Sequence, residues 1–406
     1  MKVTRTATVK LSVSPKERII LLRSLNAFTN EYNSCCAVGF EKHTNNGITL
    51  HKLTYENARK SLPSQLAISS RMMATDSLTA LFSTMKKNPQ KQYHCPHSKL
   101  MSIRLDKNSH TIWFNKSLVS VLTCEGRLRL PFKIHPYFQQ FINWKHSCAQ
   151  FCFKKNTFFL KVQFEKDVED VPKSGKFIGI DRGIKKLAVT SDNRFFGGGP
   201  TRRICKRYQR IRSKLQKCGT KSAKRHLVRL SGQEKRFKSD VNHQISKAIV
   251  QCLNPGDTIV LEALSGIRNK RMRKKIRKEV NSWNFLQLEN YITYKAEYRG
   301  IHIEHVNAAY TSLRCSKCGD IKRSNRKSQS CFVCRKCGFK LNADLNAARN
   351  IVLKHLDATN FLGSLRGYPD RAPVNEPNVA PVLETTNQGN LLVGAVTSPG
   401  ARPPGG

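Results

Sequence analysis

Apolar and polar positions alternate over residues 2–13, with Val3, Ala7, Val9, Leu11 and Val13 sharing one side, so the chain opens with a half-buried strand. Ser14, Pro15 and Glu17 then form a capping-box start with proline at the first helical position, predicting a helix through about Asn30. Helical spacing returns from about Ser64 to Lys87, so residues 14–90 read as a small helical lobe. From about Lys91 to Glu169 the period changes to that of strands: SIRLD, TIWFN, VSVLTCEGRLRLPF and FFLKVQFEKD alternate or carry β-branched and aromatic residues. They predict a small barrel or curled sheet to which the first strand can belong. VPKSG, 171–175, reads as the linker out of it. Residues 176–356 follow as strand, hairpin, long basic helical region, strand, helix, strand, cysteine module and helix, the order of a mixed α/β fold with one insertion. The stretch 365–406, rich in Pro, Gly, Asn and Thr without periodicity, reads as a disordered tail.

The α/β segment breaks its own pattern in three places. In FIGIDRG, Phe177, Ile178 and Ile180 make a core strand that ends on Asp181, and in TIVLEALSG, Ile259, Val260 and Leu261 end on Glu262. In NADLNAARNIVLKHL, Asp344 occupies the first turn of a helix, with Ala348 and Ile351 four and seven residues on along the same face. Small alanines there let the helix approach a sheet closely. A buried carboxylate needs a cation, a hydrogen-bond network or a metal. Taken singly, each acid reads as a helix cap or ion-pair partner; taken together, two strand ends and a docked helix deliver three acids to one place. Carboxylate oxygens are hard ligands suited to Mg²⁺ or Mn²⁺, and clustered acids sharing two metals roughly 3.5–4 Å apart cleave phosphodiesters. A glycosidase pair also uses two acids, but no other feature suggests a sugar groove.

Charge sharpens this reading. The chain carries 72 Lys plus Arg against 27 Asp plus Glu, a net +45, and an excess this large along 406 residues calls for a polyanion such as a phosphate backbone. Two basic runs, 201–230 and 268–280, flank the carboxylate strands and read as the lining of a nucleic-acid channel, with Arg202, Arg203, Lys206 and Arg207 in the first and Arg271, Arg273, Lys274 and Lys275 in the second. Trp283, Phe285 and Tyr291, just after the second run, have near-helical spacing that favours core over stacking. No apolar run approaches the roughly 20 residues of a membrane span, and the N-terminal residues alternate instead of forming a signal core.

Most of the 14 cysteines are scattered, which argues against a disulfide scaffold. CSKCG at 315–319 and CRKCG at 334–338 are different: C-x₂-C-x₁₅-C-x₂-C fits one structural Zn²⁺ on Cys315, Cys318, Cys334 and Cys337. Cys331 with Cys334 is a second CxxC, but only Cys334 with Cys337 repeats the knuckle and its following glycine. The basic polar loop between the pairs suits a ribbon tip that touches nucleic acid.

GIDRG, then VLE, then the cysteine module followed by NADLNAARNI resembles the split RuvC-like nuclease domain of the TnpB family, transposon-encoded RNA-guided nucleases related to compact type V CRISPR effectors. The resemblance is specific from about Gly179 to Ile351. It implies an RNase H-like α/β fold at 176–310 and 339–360, with Asp181, Glu262 and Asp344 as metal-binding catalytic acids. It also implies a zinc ribbon at 311–338 that handles the target strand, a β-rich wedge domain at 1–13 and 91–172, and a helical recognition lobe at 14–90. Implied cofactors are two Mg²⁺ or Mn²⁺ ions, one Zn²⁺ and a guide RNA from the transposon end. The implied reaction, in a prokaryotic cytoplasm, is cleavage of guide-matched DNA next to a short flanking motif. Rival expectations are a guide-dependent DNA-binding repressor and an unguided RuvC-like nuclease or transposition factor; the first is disfavoured by the presence of all three acids.

Overall fold

A computed structural model of the chain describes residues 2–264, 284–328 and 330–359, in two compact units, Met1–Val168 and Glu169–Gly406. The second basic run with Arg271, Arg273, Lys274 and Lys275, together with Trp283 and the tail, lies outside the described residues.

In the first unit, strand β1 (Lys2–Leu11) is followed by helices α1 (Pro15–Glu41), α2 (Gly47–Arg59) and α3 (Ser64–Lys87). Strands β2 (Ile103–Leu105), β3 (His110–Trp113), β4 (Leu118–Thr123) and β5 (Gly126–Lys133), a short helix α4 (Pro136–Gln139), and strands β6 (Lys145–Lys154) and β7 (Thr157–Asp167) complete it. The seven strands form one sheet in the order β2-β6-β7-β1-β5-β4-β3, antiparallel throughout. Alternation works as expected: Val9 and Leu11 of β1 and Leu160, Val162 and Phe164 of β7 point into a core completed by Leu21, Leu25 and Phe28 of α1 and Leu66 of α3. The capping box forms, with the Ser14 N–H donating to Glu17 Oε2 at 2.7 Å and the Glu17 N–H to Ser14 Oγ at 3.4 Å.

Three boundaries differ from the sequence expectation. Helix α1 runs to Glu41 rather than Asn30, because Tyr32, Cys35, Cys36 and Gly39 continue its buried face. Strand β6 carries no clean alternation, since a register shift between His146 and Ala149 interrupts it. VPKSG is no free linker: His302 Nε2 lies 2.7 Å from the Val171 carbonyl, and the Gly175 N–H donates to the Gly256 carbonyl at 3.1 Å, so these residues pack within the second unit.

The second unit holds strands β8 (Phe177–Asp181), β9 (Lys186–Thr190) and β10 (Phe195–Gly197), then helices α5 (Gly199–Cys218) and α6 (Lys221–Gln251). Strand β11 (Thr258–Ala263), helix α7 (Phe285–Tyr298), strand β12 (His302–Asn307), the cysteine module with strands β13 (Cys331–Val333) and β14 (Lys340–Asn342), and helix α8 (Ala343–Ala358) follow. The main sheet has the order β10-β9-β8-β11-β12; β8, β11 and β12 are parallel, and the β8-β9-β10 meander is antiparallel. Side chains sort by face. Ile178, Ile180, Ile259 and Leu261 point to one side, against Val241, Ile245 and Ile249 of α6 and Leu288, Ile292 and Ala296 of α7. On the other side Val260 and Val306 meet Ile351 of α8, and Val189 and Phe195 meet Leu345 and Ala348. The sheet is therefore sandwiched, with α8 alone on the second face among these contacts.

Candidate functional site

The alternation that drives Ile180 and Leu261 into the α6–α7 core turns the next residue of each strand toward α8. Ile180 is in register with Leu261 across the parallel pair, so Asp181 and Glu262 stand side by side at the carboxyl ends of adjacent central strands. This is the edge of an open α/β sheet where ligands collect. Asp344 enters from above. Asn342 caps α8 by accepting from the N–H groups of Asp344 and Leu345 at 3.0 and 3.3 Å, which fixes Asp344 in the first turn. The helix can sit low because β8 offers a glycine beneath it: a Cβ on Gly179 would fall 2.2 Å from the Ala348 carbonyl oxygen.

The electrostatics show the acids bearing on one another at Asp181. Burial, reinforced by the charges of Glu262 and Asp344, pushes the Asp181 carboxyl up to about 8. Burial also raises Asp344, opposed by Arg326, whose Nη2 donates to Asp344 Oδ1 at 3.1 Å. Glu262 is buried and its Oε1 accepts from Thr311 Oγ1 at 2.5 Å. Arg182 supports the floor: its Nη2 donates to the Glu262 carbonyl at 2.6 Å and its Nη1 to Glu289 Oε2 at 2.5 Å. Burial alone would raise Glu289, but Arg182 and His305 outweigh it and hold the carboxyl below the usual range. Asp181, Glu262 and Asp344 supply hard oxygen donors of the chemistry that Mg²⁺ or Mn²⁺ takes, and the charges of Glu262 and Asp344 bear on Asp181, whereas among the described residues only the four thiols of the cysteine module already lie close enough together to grip one ion.

The cysteine module is sewn to the same helix. Asn346 accepts from the Ser316 N–H at 3.0 Å and donates to the Arg314 carbonyl at 2.8 Å, while Asn350 donates to the carbonyls of Thr311 and Arg314 at 2.9 and 2.6 Å. The thiols of Cys315, Cys318, Cys334 and Cys337 all lie within 4.8 Å of one another. Cys315 to Cys337 is 3.8 Å and Cys318 to Cys334 is 3.5 Å, close to the ~3.8 Å edge of a tetrahedron with Zn–S bonds of ~2.3 Å. Cys331 lies outside this group, in β13, where it pairs with Asn342.

Of the predicted basic residues, Arg203, Lys206 and Arg207 are exposed on α5 and Arg202 is half-buried there. Phe285 is core, whereas Tyr291 is half-buried, stacked on His243 with centroids 3.9 Å apart. Thr311, Arg326, Arg182, Asn346 and Asn350 escape sequence reasoning. The two asparagines left a signal, since Asn342, Asn346 and Asn350 recur every four residues on a helix whose other positions are largely apolar.

Residues 159–265 match the family model described as "Probable transposase", and residues 285–351 match the Cas12f1-like TNB domain. Over 123 residues, 30% of this chain, it is 41% identical to a CRISPR-associated endodeoxyribonuclease Cas12f1 of Sulfoacidibacillus thermotolerans, covering 28% of that protein. Over 166 residues, 39% of this chain, it is 31% identical to a TnpB-like protein of Methanocaldococcus jannaschii, covering 59% of it. The chain thus spans less than two thirds of the length of these relatives. A cryo-EM structure of a Cas12f1–sgRNA–target DNA complex shares the fold with a TM-score of 0.62 at 15% identity, covering 86% of this chain and 99% of that one.

Proposed function

We propose that this chain, a TnpB-like protein related to the Cas12f effectors, is an RNA-guided DNA endonuclease that hydrolyses phosphodiester bonds at Asp181, Glu262 and Asp344. The observation that carries the proposal is a buried Asp181 with Glu262 and Asp344 close enough that burial first, and then their charges, push its carboxyl up to about 8. An acid crowded by two others at the carboxyl edge of a sheet is arranged for a cation rather than for the fold. The sheet order supports an RNase H-like, RuvC-type nuclease core. Asp181, Glu262 and Asp344 would hold the divalent ions, which when bound supply an activated water and stabilise the departing oxygen.

The chain's own groups prepare that site. Thr311 donates to Oε1 of Glu262 and so holds that carboxylate in place. Arg182 fixes the β11 strand end through the Glu262 carbonyl, and Arg326 offsets the charge of Asp344. Thr311 and Arg326 both belong to segments organised around the cysteines, so a Zn²⁺ on Cys315, Cys318, Cys334 and Cys337 would keep the two side chains at the acids. Guide RNA and target DNA are the partners that the basic surface calls for. The Cas12f1 relative is named an endodeoxyribonuclease and the similar solved complex holds sgRNA and target DNA. The β-rich and helical parts of the first unit take the wedge and recognition roles in this reading.

Replacing Asp181 with Ala tests the assignment. Cleavage should be abolished while guide RNA and DNA binding, measured by gel shift in Ca²⁺, stay near wild type. Binding lost in step with cleavage would remove Asp181 from the catalytic role and leave it a structural one.

A further inference from the structure

Between β12 and the cysteine module the chain passes through Asn307–Arg314, and Tyr310 within it has φ +65°. This left-handed region is open to glycine and disfavoured for a bulky residue. The other non-glycine residues of positive φ among the described residues are His43, Ser117, Lys155, Asn156 and Asn193, and the two asparagines sit in the β6–β7 and β9–β10 hairpins, where their short polar side chains tolerate it. Tyr310 is not in such a hairpin.

The surrounding bonds hold it there. The Ala309 N–H donates to Asn307 Oδ1 at 2.9 Å and Lys354 Nζ to the Ala309 carbonyl at 2.8 Å. The Tyr310 carbonyl accepts from the N–H groups of Leu313 and Arg314 at 2.9 and 3.0 Å, and the Thr311 carbonyl accepts from Asn350. Strain fixed so completely from both sides is the kind found at functional sites. Its product is a divergence of neighbours: Thr311, 4% exposed, turns inward to Glu262, while Tyr310, 62% exposed, turns outward and makes no ring contact among the described residues. Consecutive Cα atoms are ~3.8 Å apart, so the free ring starts one residue from the side chain that holds a candidate catalytic acid.

We propose that Tyr310 is a positioning residue that stacks on an unpaired nucleobase of the DNA strand being cut, seating the neighbouring phosphodiester at the acids. This rests on the endonuclease reading above. An aromatic face accepts any base, which suits an enzyme whose cutting site must not read sequence, and a ring on a pinned backbone loses little freedom on binding. A glycine would satisfy the backbone better but could not stack.

The test uses the full chain purified with its RNA, the matched DNA, and Tyr310→Gly, Tyr310→Ala and Tyr310→Phe. Tyr310→Phe should cut at the wild-type rate. Tyr310→Ala and Tyr310→Gly should cut subsaturating DNA roughly 5- to 150-fold more slowly, the range of one lost base stack. Tyr310→Gly should nevertheless unfold at no lower a temperature than wild type, since glycine suits φ +65°. Substituting abasic nucleotides one at a time around the cut should slow wild type at one position and slow Tyr310→Gly no further there. A wild type that cuts while Tyr310→Gly cuts equally fast, or loses the same factor at every abasic position, overturns the stacking role and leaves the endonuclease reading standing. A wild type that cuts nothing overturns both.

Discussion

Asp181 ends a strand of isoleucines in surroundings that disfavour its charge, and Glu262 and Asp344 add to the penalty. A carboxyl whose folded pKa lies above its unfolded value favours the fold fully below the unfolded pKa, near 4, and that contribution is lost as pH rises toward 8. Asp344 is raised in the same direction. The metal-free protein should therefore lose stability through these groups across that window, and Asp181→Asn at about pH 8 should unfold at a higher temperature than wild type. Added Mg²⁺ binds the deprotonated acids, so its stabilising increment in thermal unfolding should grow from about pH 6 to about pH 8.5 and vanish in Asp181→Asn. An increment independent of pH, or one retained in Asp181→Asn, would mean that the cation sits elsewhere.

Helix α8 carries both the third acid and the asparagines that hold the cysteine module, and its height over the sheet is set by one glycine. Gly179→Ala would drive a Cβ into the Ala348 carbonyl oxygen, and overpacking of this kind costs about 1–3 kcal/mol. Because Asp344 rides on the displaced helix, cutting should fall by more than the loss of folded protein explains. Thermal unfolding and cleavage rate measured on one preparation check this; a variant with wild-type values for both would show that α8 does not set the site. Cys315→Ser should lower bound zinc and weaken cleavage, as read by metal analysis of the purified protein, and unchanged zinc would exclude Cys315 as a ligand. The sequence was most readable where burial and period agreed. Strand β8 ends on its acid and β11 runs one residue past Glu262 to Ala263, α3 matched its expected span of Ser64–Lys87, and Ala348 and Ile351 do form the docking face of α8. The rest depended on distant packing. The last turns of α1 keep the helical period but carry it on Tyr32, two cysteines and Gly39 instead of aliphatic residues, and β6 is interrupted by a register shift. Thr311 and Arg326 lie in loops, where reaching Glu262 and Asp344 follows from how the cysteine module folds back, and Tyr310 is set apart by a backbone angle that no residue pattern encodes.

The whole chain joins an acid site, a four-cysteine cluster and a net charge of +45. No helix among the described residues is long and apolar enough to cross a membrane. Charge of this size would hold nucleic acid but leave its sequence unread, since phosphate contacts position a strand without specifying bases. In the proposed function that task falls to base pairing with an RNA, and the protein supplies the cut. A guide-dependent repressor would share the binding and lack the cleavage, and an unguided nuclease the reverse. One measurement separates all three. The protein is purified with the RNA expressed from its flanking DNA, that RNA is sequenced, its variable end is replaced by a new sequence, and Mg²⁺-dependent cutting is mapped on DNA containing either match. Cutting should move to the new match and disappear in Asp181→Ala. Cutting that stays in place whatever the RNA, or that persists without it, would contradict guided cleavage and leave an unguided nuclease.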